Sequence, residues 1–269
     1  MSAQSIDWEE KQRFFVPNED AAVARMALRA LPTAPHKPVF VAGSGMLALD
    51  MLPDLPNATL TCIDLSSYQT KFVQELLTAL QGSETPEALR TWFQGTVFPQ
   101  LQYFYSTRGQ RYTLENVLHA LDELFHIRFF RDAAVLKAVR ARLSAVQVQQ
   151  GDMVAYLCHA EHEYDFVHLS NIVDYLPLEA FSSLFRACAA RRAPVMYVQT
   201  TACREQYALN EAWQAAGYVP HPCHAALNAA NHALGAQRSA KAWMRTGIVR
   251  LLVPAAQRSS MPAAHPVRA

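Results

Sequence analysis

An apolar run that breaks into two closely spaced glycines constrains this chain more than any other feature. The segment is VFVAGSGMLALD, Val39 to Asp50. Pro38 to Ala42 is continuously apolar, the pattern of a parallel strand buried on both faces. Gly43, Ser44 and Gly45 supply a tight turn, and Met46 to Leu52 has the apolar spacing of a helix. Strand, glycine turn and helix in that order open a doubly wound sheet, whose ligands sit at the carboxyl ends of the strands. A pyrophosphate-binding turn wants a third glycine for close helix–strand packing, and Leu47 follows the glycine pair instead. The turn therefore suits a ligand with a ribose and a base but no phosphate.

The rest of the chain continues the alternation. A helix through AAVARMALRAL closes before Pro32, with Asn18 as its expected N-cap and Glu19 and Asp20 as first-turn acids. A second strand, ATLTCIDL, ends at Asp64, and Ser66 or Ser67 caps the helix that stops at Gly82. Residues 82–144 form a long helical stretch rich in aromatics (Trp92, Phe93, Phe98, Tyr103, Phe104, Tyr105), read as an insert with a core of its own and part of its surface over the site. AVQVQQ and YDFVHLSN are the third and fourth strands, LEAFSSLFRACAA a helix, PVMYVQTTA the fifth strand, EQYALNEAWQAAG a helix and GIVRLLVP a late strand. The expected organisation is an N-terminal helical cap over residues 1–35, an α/β domain over 36–255 carrying the insert, and a flexible tail over 256–269. Trp8, Phe14 and Phe15 are too apolar to stay exposed, so the cap is expected to fold over the ligand.

Composition removes several classes. With 269 residues, 51% hydrophobic, 17% charged and a formal net charge of +1, the chain has room for one substantial core and no electrostatic footprint for nucleic acid. No apolar stretch reaches the roughly 18 residues that span a bilayer, and the polar start MSAQSIDWEEKQRFF does not read as a signal peptide. The five cysteines form no CxxC pair and read as reduced thiols, so a cytoplasmic protein is expected. His159 and His162 beside Cys158, and His221, Cys223 and His224 in HPCH, are weak metal signals, and no metal is expected. There is no G-x-S-x-G elbow and no P-loop, which argues against serine hydrolysis and phosphoryl transfer.

Polar positions at successive strand ends carry the chemistry. Asp64 follows the glycine turn by about twenty residues, where a carboxylate can accept both hydroxyls of a ribose. Asp152, in QQGDMVAYL, can accept from an adenine amino group, and Ser170 and Asn171 end the fourth strand beside the same crevice. Each has a plainer reading: Asp64 as a strand-end turn residue, Asp152 as a helix cap, Asn171 as a partner for loop backbone. Their order after successive strands favours the shared site.

With these motifs in place, the sequence resembles the Rossmann-like S-adenosylmethionine (SAM) enzymes. AGSGMLALD is similar to their first motif, IDLSSYQ to the ribose-binding strand end, QQGDMVAYL to the adenine-contacting motif and YDFVHLSNIVDYL to the fourth-strand motif, together covering residues from about 38 to 200. Val41 and Ala42 stand where an acidic residue often precedes the turn, and ARRAP replaces the usual glycine pair before the fifth strand. Asp64 followed by Ser66 and Gln69, the long insert, and LSN followed by Asp174 and Tyr175 are similar to the 3-amino-3-carboxypropyl transferases of the betaine-lipid type, whose chemistry is related to that of azetidine-2-carboxylate synthases.

The resemblance implies the class I SAM-dependent methyltransferase fold, with SAM as substrate and no metal. It assigns Gly43, Ser44, Gly45, Asp64, Leu65, Gln69, Asp152, Met153 and Ser170 to holding SAM. Ser170, Asn171 and Tyr175 fall at the reacting end, the two polar groups on the amine or carboxylate and the Tyr175 ring near the sulfonium. The plainer reading of Tyr175 is an aromatic packed on the insert. A small-molecule substrate is expected, with no nucleic acid and no membrane, and the oligomeric state is left open. Three functions stay in competition: use of the 3-amino-3-carboxypropyl arm (by cyclisation or by transfer to a soluble acceptor), methyl transfer to a small molecule, and SAM binding without catalysis.

Overall fold

The computed structural model describes residues 14–17, 19–107, 111–124, 126–199, 206–238 and 248–258. Its centre is a seven-stranded sheet in the order β3-β2-β1-β4-β5-β7-β6. The strands are β1 (Pro38–Val41), β2 (Leu60–Asp64), β3 (Val146–Gln150), β4 (Phe166–His168), β5 (Val195–Gln199), β6 (Tyr218–Pro220) and β7 (Ile248–Pro254). The first five run parallel, while β7 is antiparallel to both β5 and β6. The order reverses between β1 and β4, which opens a crevice at their carboxyl ends.

Alternation along the strands sorts side chains into two cores. Phe40, Cys62, Met196 and Val198 join one, while Val39, Ile63, Val195 and Tyr197 join the other. The second core is closed by α8 (Met153–Cys158), α9 (Leu178–Ala190) and α10 (Gln206–Ala215). The first takes α1 (Ala21–Ala30), α2 (Met46–Asp50), α3 (Ser67–Gly82) and the helices of the insert: α4 (Pro86–Trp92), α5 (Phe98–Ser106), α6 (Leu114–His119) and α7 (Ala133–Arg140). Two π-helical turns, Phe93–Val97 and Ala120–Leu124, interrupt the insert.

The insert does not have a core of its own. Phe93, Leu101, Phe104, Val117, Phe129 and Phe130 are buried in the same cluster as Phe40 and Met46. Phe15 meets Phe72 of α3 and Phe104 of α5 edge-on, with ring centroids 5.8 and 5.9 Å away. The helix from Ala21 is capped by Asp20, whose side chain accepts from the Ala22 amide at 2.7 Å; Asn18, Trp8 and the tail beyond residue 258 lie outside the described residues. Three elements differ from the sequence expectation, one of them the short helix Ala255–Arg258, which runs into the expected flexible tail. The three residues of β6 are too few to show a period, and α11 (His224–Arg238) is alanine-rich with small apolar content. Among the described residues no helix is long and apolar enough to cross a membrane. Cys62, Cys158, Cys188 and Cys223 are free thiols, and Cys203 lies outside the described residues.

A buried charge cluster fastens cap and insert to the helix after the glycine turn. Asp50, fully buried at the end of α2, accepts from the Arg25 guanidinium of α1 at 2.5 Å and from Nε of Arg128 at 3.0 Å. Its other oxygen accepts from the Arg128 amide at 2.7 Å. Arg128 also reaches Asp54 at 2.6 Å, and Arg29 joins that carboxylate from the surface at 2.9 Å. Removing one member of a buried pair leaves the remaining charges dry and unpaired. Asp50→Ala is expected to lose about 3–5 kcal/mol in a urea unfolding titration. Arg29→Ala, whose side chain is 67% exposed, is expected to stay within about 1 kcal/mol of the wild type.

Candidate functional site

The crevice at the strand ends is open to solvent and takes in about 1030 Å³ of empty space, the solvent at its mouth included. Its floor comes from the ends of four strands: Val41 and Ala42 after β1, Ile63 and Asp64 of β2, Gly151 and Asp152 after β3, and His168 and Ser170 after β4. Leu47 and Ala48 of α2 line one wall, and Asn171, Ile172, Tyr175 and Leu176 another. Phe14, Val16, Pro17 and Glu19 approach from the N-terminal segment. None of the insert aromatics Trp92, Phe93, Phe98, Tyr103, Phe104 and Tyr105 is among the lining residues, so the insert supports the site from behind rather than covering it.

The glycine turn has two different glycines. Both have left-handed φ, +48° at Gly43 and +71° at Gly45. A Cβ on Gly43 meets no protein atom within 4 Å, and the residue lines the crevice. A Cβ on Gly45 would stand 2.8 Å from Cγ2 of Val73 on α3. Gly45 therefore serves helix packing and does not line the crevice, although it was expected at the ligand.

Asp64 closes the turn from β2. One carboxylate oxygen accepts from the Gly43 amide and the other from the Ser66 amide, both at 3.0 Å. Each oxygen keeps a second lone pair for a hydroxyl. Burial pushes this carboxyl up from its ordinary value, and the two amides pull it back. Leu65 lines the crevice beside it and is 53% exposed. Gln69 lies differently from expectation. It is buried, its Nε2 donates to the carbonyls of Gly43 and Phe14 at 2.6 and 3.0 Å, and its Oε1 accepts from the Phe14 amide at 3.0 Å. Both ends of this amide are spent on backbone, so it ties residue 14 to the glycine turn and is absent from the crevice wall.

Asp152 both caps and lines. Its Oδ1 accepts from the Ala155 amide at 2.8 Å at the start of α8, and the residue, like Met153, faces the crevice. Ser170 has φ +52°, an uncommon conformation for a residue with a side chain. Its amide donates to Nδ1 of His168 at 3.2 Å and its carbonyl accepts from the Val198 amide at 2.8 Å, which holds the strained turn. The Ser170 hydroxyl lies 3.4 Å from Oδ1 of Asn171 and donates to the carboxylate of Glu19. Ser44, Asn171 and Tyr175 all line the crevice, Tyr175 being 38% exposed.

Two residues of this wall were missed in the sequence. Glu19 reads as an ordinary first-turn acid, and nothing local shows that the chain turns it inward. His168 carried a signal, a histidine inside the apolar strand DFVHL. It is buried and stacked on Phe40 with centroids 5.3 Å apart, and burial drives its pKa down to about 4, so the ring is neutral at pH 7. With Nδ1 accepting, the proton sits on Nε2, which has no partner among the described residues. No group of three metal-binding side chains occurs among the described residues. His162 stacks on Tyr156, and His221 Nδ1 lies 2.9 Å from the Cys223 sulfur.

No family model matches this chain, and no curated protein matches it. Solved structures do. One is the glycopeptide N-methyltransferase MtfA with S-adenosyl-L-homocysteine, at 12% identity, 91% of this chain, 93% of that chain and a TM-score of 0.46. A second is a putative O-methyltransferase from Nostoc punctiforme PCC 73102, at 10% identity over 75% and 51% of the two chains with a TM-score of 0.40. A third is coclaurine N-methyltransferase with N-methylheliamine and S-adenosyl-L-homocysteine, at 11% identity over 66% and 35% with a TM-score of 0.36. What the sheet itself shows is a Rossmann-like α/β fold, a mostly parallel seven-stranded sheet with β7 antiparallel near one edge.

The two glycines differ in what they tolerate. Gly45→Ala places a Cβ against Val73 at a left-handed φ, and is expected to lose at least about 1–3 kcal/mol of stability. Gly43→Ala carries backbone strain without the clash, so thermal unfolding should rank Gly45→Ala as the less stable of the two.

Proposed function

We propose that this chain consumes SAM through its 3-amino-3-carboxypropyl arm and releases 5′-methylthioadenosine. In the sharpest form the arm closes on its own amine to give azetidine-2-carboxylate; transfer of the arm to a small soluble acceptor is the wider form. The observation that supports SAM as the substrate, in this reading and in the methyl-transfer reading below, is the charge of the crevice. Glu19, Asp64 and Asp152 line it, with no lysine or arginine among the described lining residues. Such a wall favours cations and disfavours phosphates. SAM brings a sulfonium and an ammonium against one carboxylate, attached to a ribose and a base that the glycine turn and Asp64 suit.

In this reading Gly43, Ser44 and Asp64 hold the ribose side, Leu65, Asp152 and Met153 the adenine, and Ser170, Asn171 and Tyr175 the amino acid arm. The sulfonium is already a good leaving group, so the protein's task is near-attack geometry and exclusion of water. A Tyr175 ring beside the sulfonium contributes about 0.5–2 kcal/mol. A second reading, methyl transfer to a small acceptor, draws on the same Tyr175: its partial exposure at the crevice suits a surface on which an incoming acceptor stacks.

Incubation with SAM alone, with products identified by mass, separates the readings. Methylthioadenosine with azetidine-2-carboxylate is the expected outcome; S-adenosylhomocysteine formed only with an added acceptor would replace the first reading by the second. Asp64→Ala is expected to weaken SAM binding by about 1.5–3 kcal/mol, the worth of hydrogen bonds to a charged acceptor. Unchanged affinity in calorimetric titration would remove Asp64 from the ribose site.

A further inference from the structure

Glu19 has no place in the roles described so far, yet it is the most unusual acid in the crevice. It is buried, it stands on the N-terminal segment rather than on the sheet, and it meets Ser170 where β4 ends in a strained turn. Its chain neighbour Asp20 turns away to cap α1 and to face His126 Nδ1 at 3.0 Å, so the two adjacent acids point to different surroundings. The other titratable groups of the crevice are Asp64, Asp152, His168 and Tyr175. Asp64 is bonded to two backbone amides and Asp152 to one, and both stand at the ends of β2 and β3, the half of the sheet assigned to ribose and base. His168 is neutral, with Nδ1 occupied by the Ser170 amide. Glu19 is thus the carboxylate left at the β4 end, beside Ser170 and Asn171.

We propose that Glu19 is a catalytic residue, the base that receives a proton from the substrate's α-ammonium group, with Ser170 holding its carboxylate in place. This rests on the SAM reading above. The carboxylate takes one proton from the ammonium, and the nitrogen lone pair so freed forms the bond to Cγ. The Cγ–S bond breaks with its electron pair going to sulfur, which leaves neutral methylthioadenosine. The ring nitrogen carries the remaining two protons as a secondary ammonium balancing the carboxylate, and Glu19 then releases its proton to solvent. Burial supports the assignment by pushing the carboxyl up to about 7, where it exchanges a proton near neutrality. The carboxylate form grows as pH rises through that value, so turnover should climb over the same window.

The test is Glu19→Gln, which keeps the shape and removes the base. Three quantities are measured in parallel with wild type: SAM affinity by calorimetry, methylthioadenosine release from SAM alone, and the pH dependence of that release. The expected result is a weakened but measurable affinity, release at saturating SAM lowered by about 100-fold or more, and loss of the rise near pH 7. Glu19→Gln that binds SAM and turns it over at the wild-type rate with the wild-type profile overturns the inference and leaves the SAM reading standing. Wild type that neither binds SAM nor releases methylthioadenosine overturns both. Should Glu19→Gln lose binding or fold poorly, Glu19→Asp decides: a slower enzyme that keeps the pH-dependent rise supports the role, and one without that rise overturns it.

Discussion

The Asp50 carboxylate, dry and shared between two arginines from distant parts of the chain, is the interaction on which the site depends. Arg25 arrives from the cap helix and Arg128 from the insert, while Asp50 ends the helix that begins at the glycine turn. A surface ion pair could not hold three elements in one register, because each partner could instead turn to water. Inside the core that escape is closed. The geometry that satisfies Asp50 also fixes where α1 starts, and therefore where Glu19 and the residues before it lie.

From that anchor the cap reaches the crevice by a second, neutral fastening. Gln69 on α3 holds the backbone of Phe14 and the carbonyl of Gly43 at once. Phe15 then buries its ring against Phe72 and Phe104. Across this short stretch Phe15 and Val16 both join the core shared with the insert, while Phe14 and Val16 also line the crevice. The insert thus shapes the site at one remove, by supplying the surface on which the cap packs.

The sheet was legible in the sequence because it obeys two strong local patterns. Continuous apolar runs marked β1 and β5, alternation in VQVQQ marked edge strand β3, and the glycine pair marked the turn between β1 and α2. Asp64, Asp152, Ser170 and Asn171 could be placed because they sit at strand ends, where position in sequence determines position in space. Glu19 could not, since its place depends on how Arg25 packs against Asp50, a contact twenty-five residues apart. Gln69 was read as a ligand contact because spacing fixes the face of α3 and not the partner its amide selects. The aromatic insert was read as a separate core because its own hydrophobic content is high; only three-dimensional packing shows that the open face of the sheet takes it in.

Glu19 also carries a cost that argues about its purpose. An acid whose carboxyl is raised on folding favours the native state only while protonated. Its penalty is absent below the ordinary value of 4.5, grows as pH rises toward about 7 and is complete above it. A glutamine at this position would hydrogen-bond Ser170 without any such penalty. A buried carboxylate without a cation among the crevice-lining side chains is poor for stability on its own account. It becomes favourable once a positive group enters the crevice, because the same low polarity that penalised the lone charge then strengthens the pair. Among the described residues the fold thus carries, beside the strained Ser170, a charge that no crevice-lining cation offsets and that a cationic ligand would compensate.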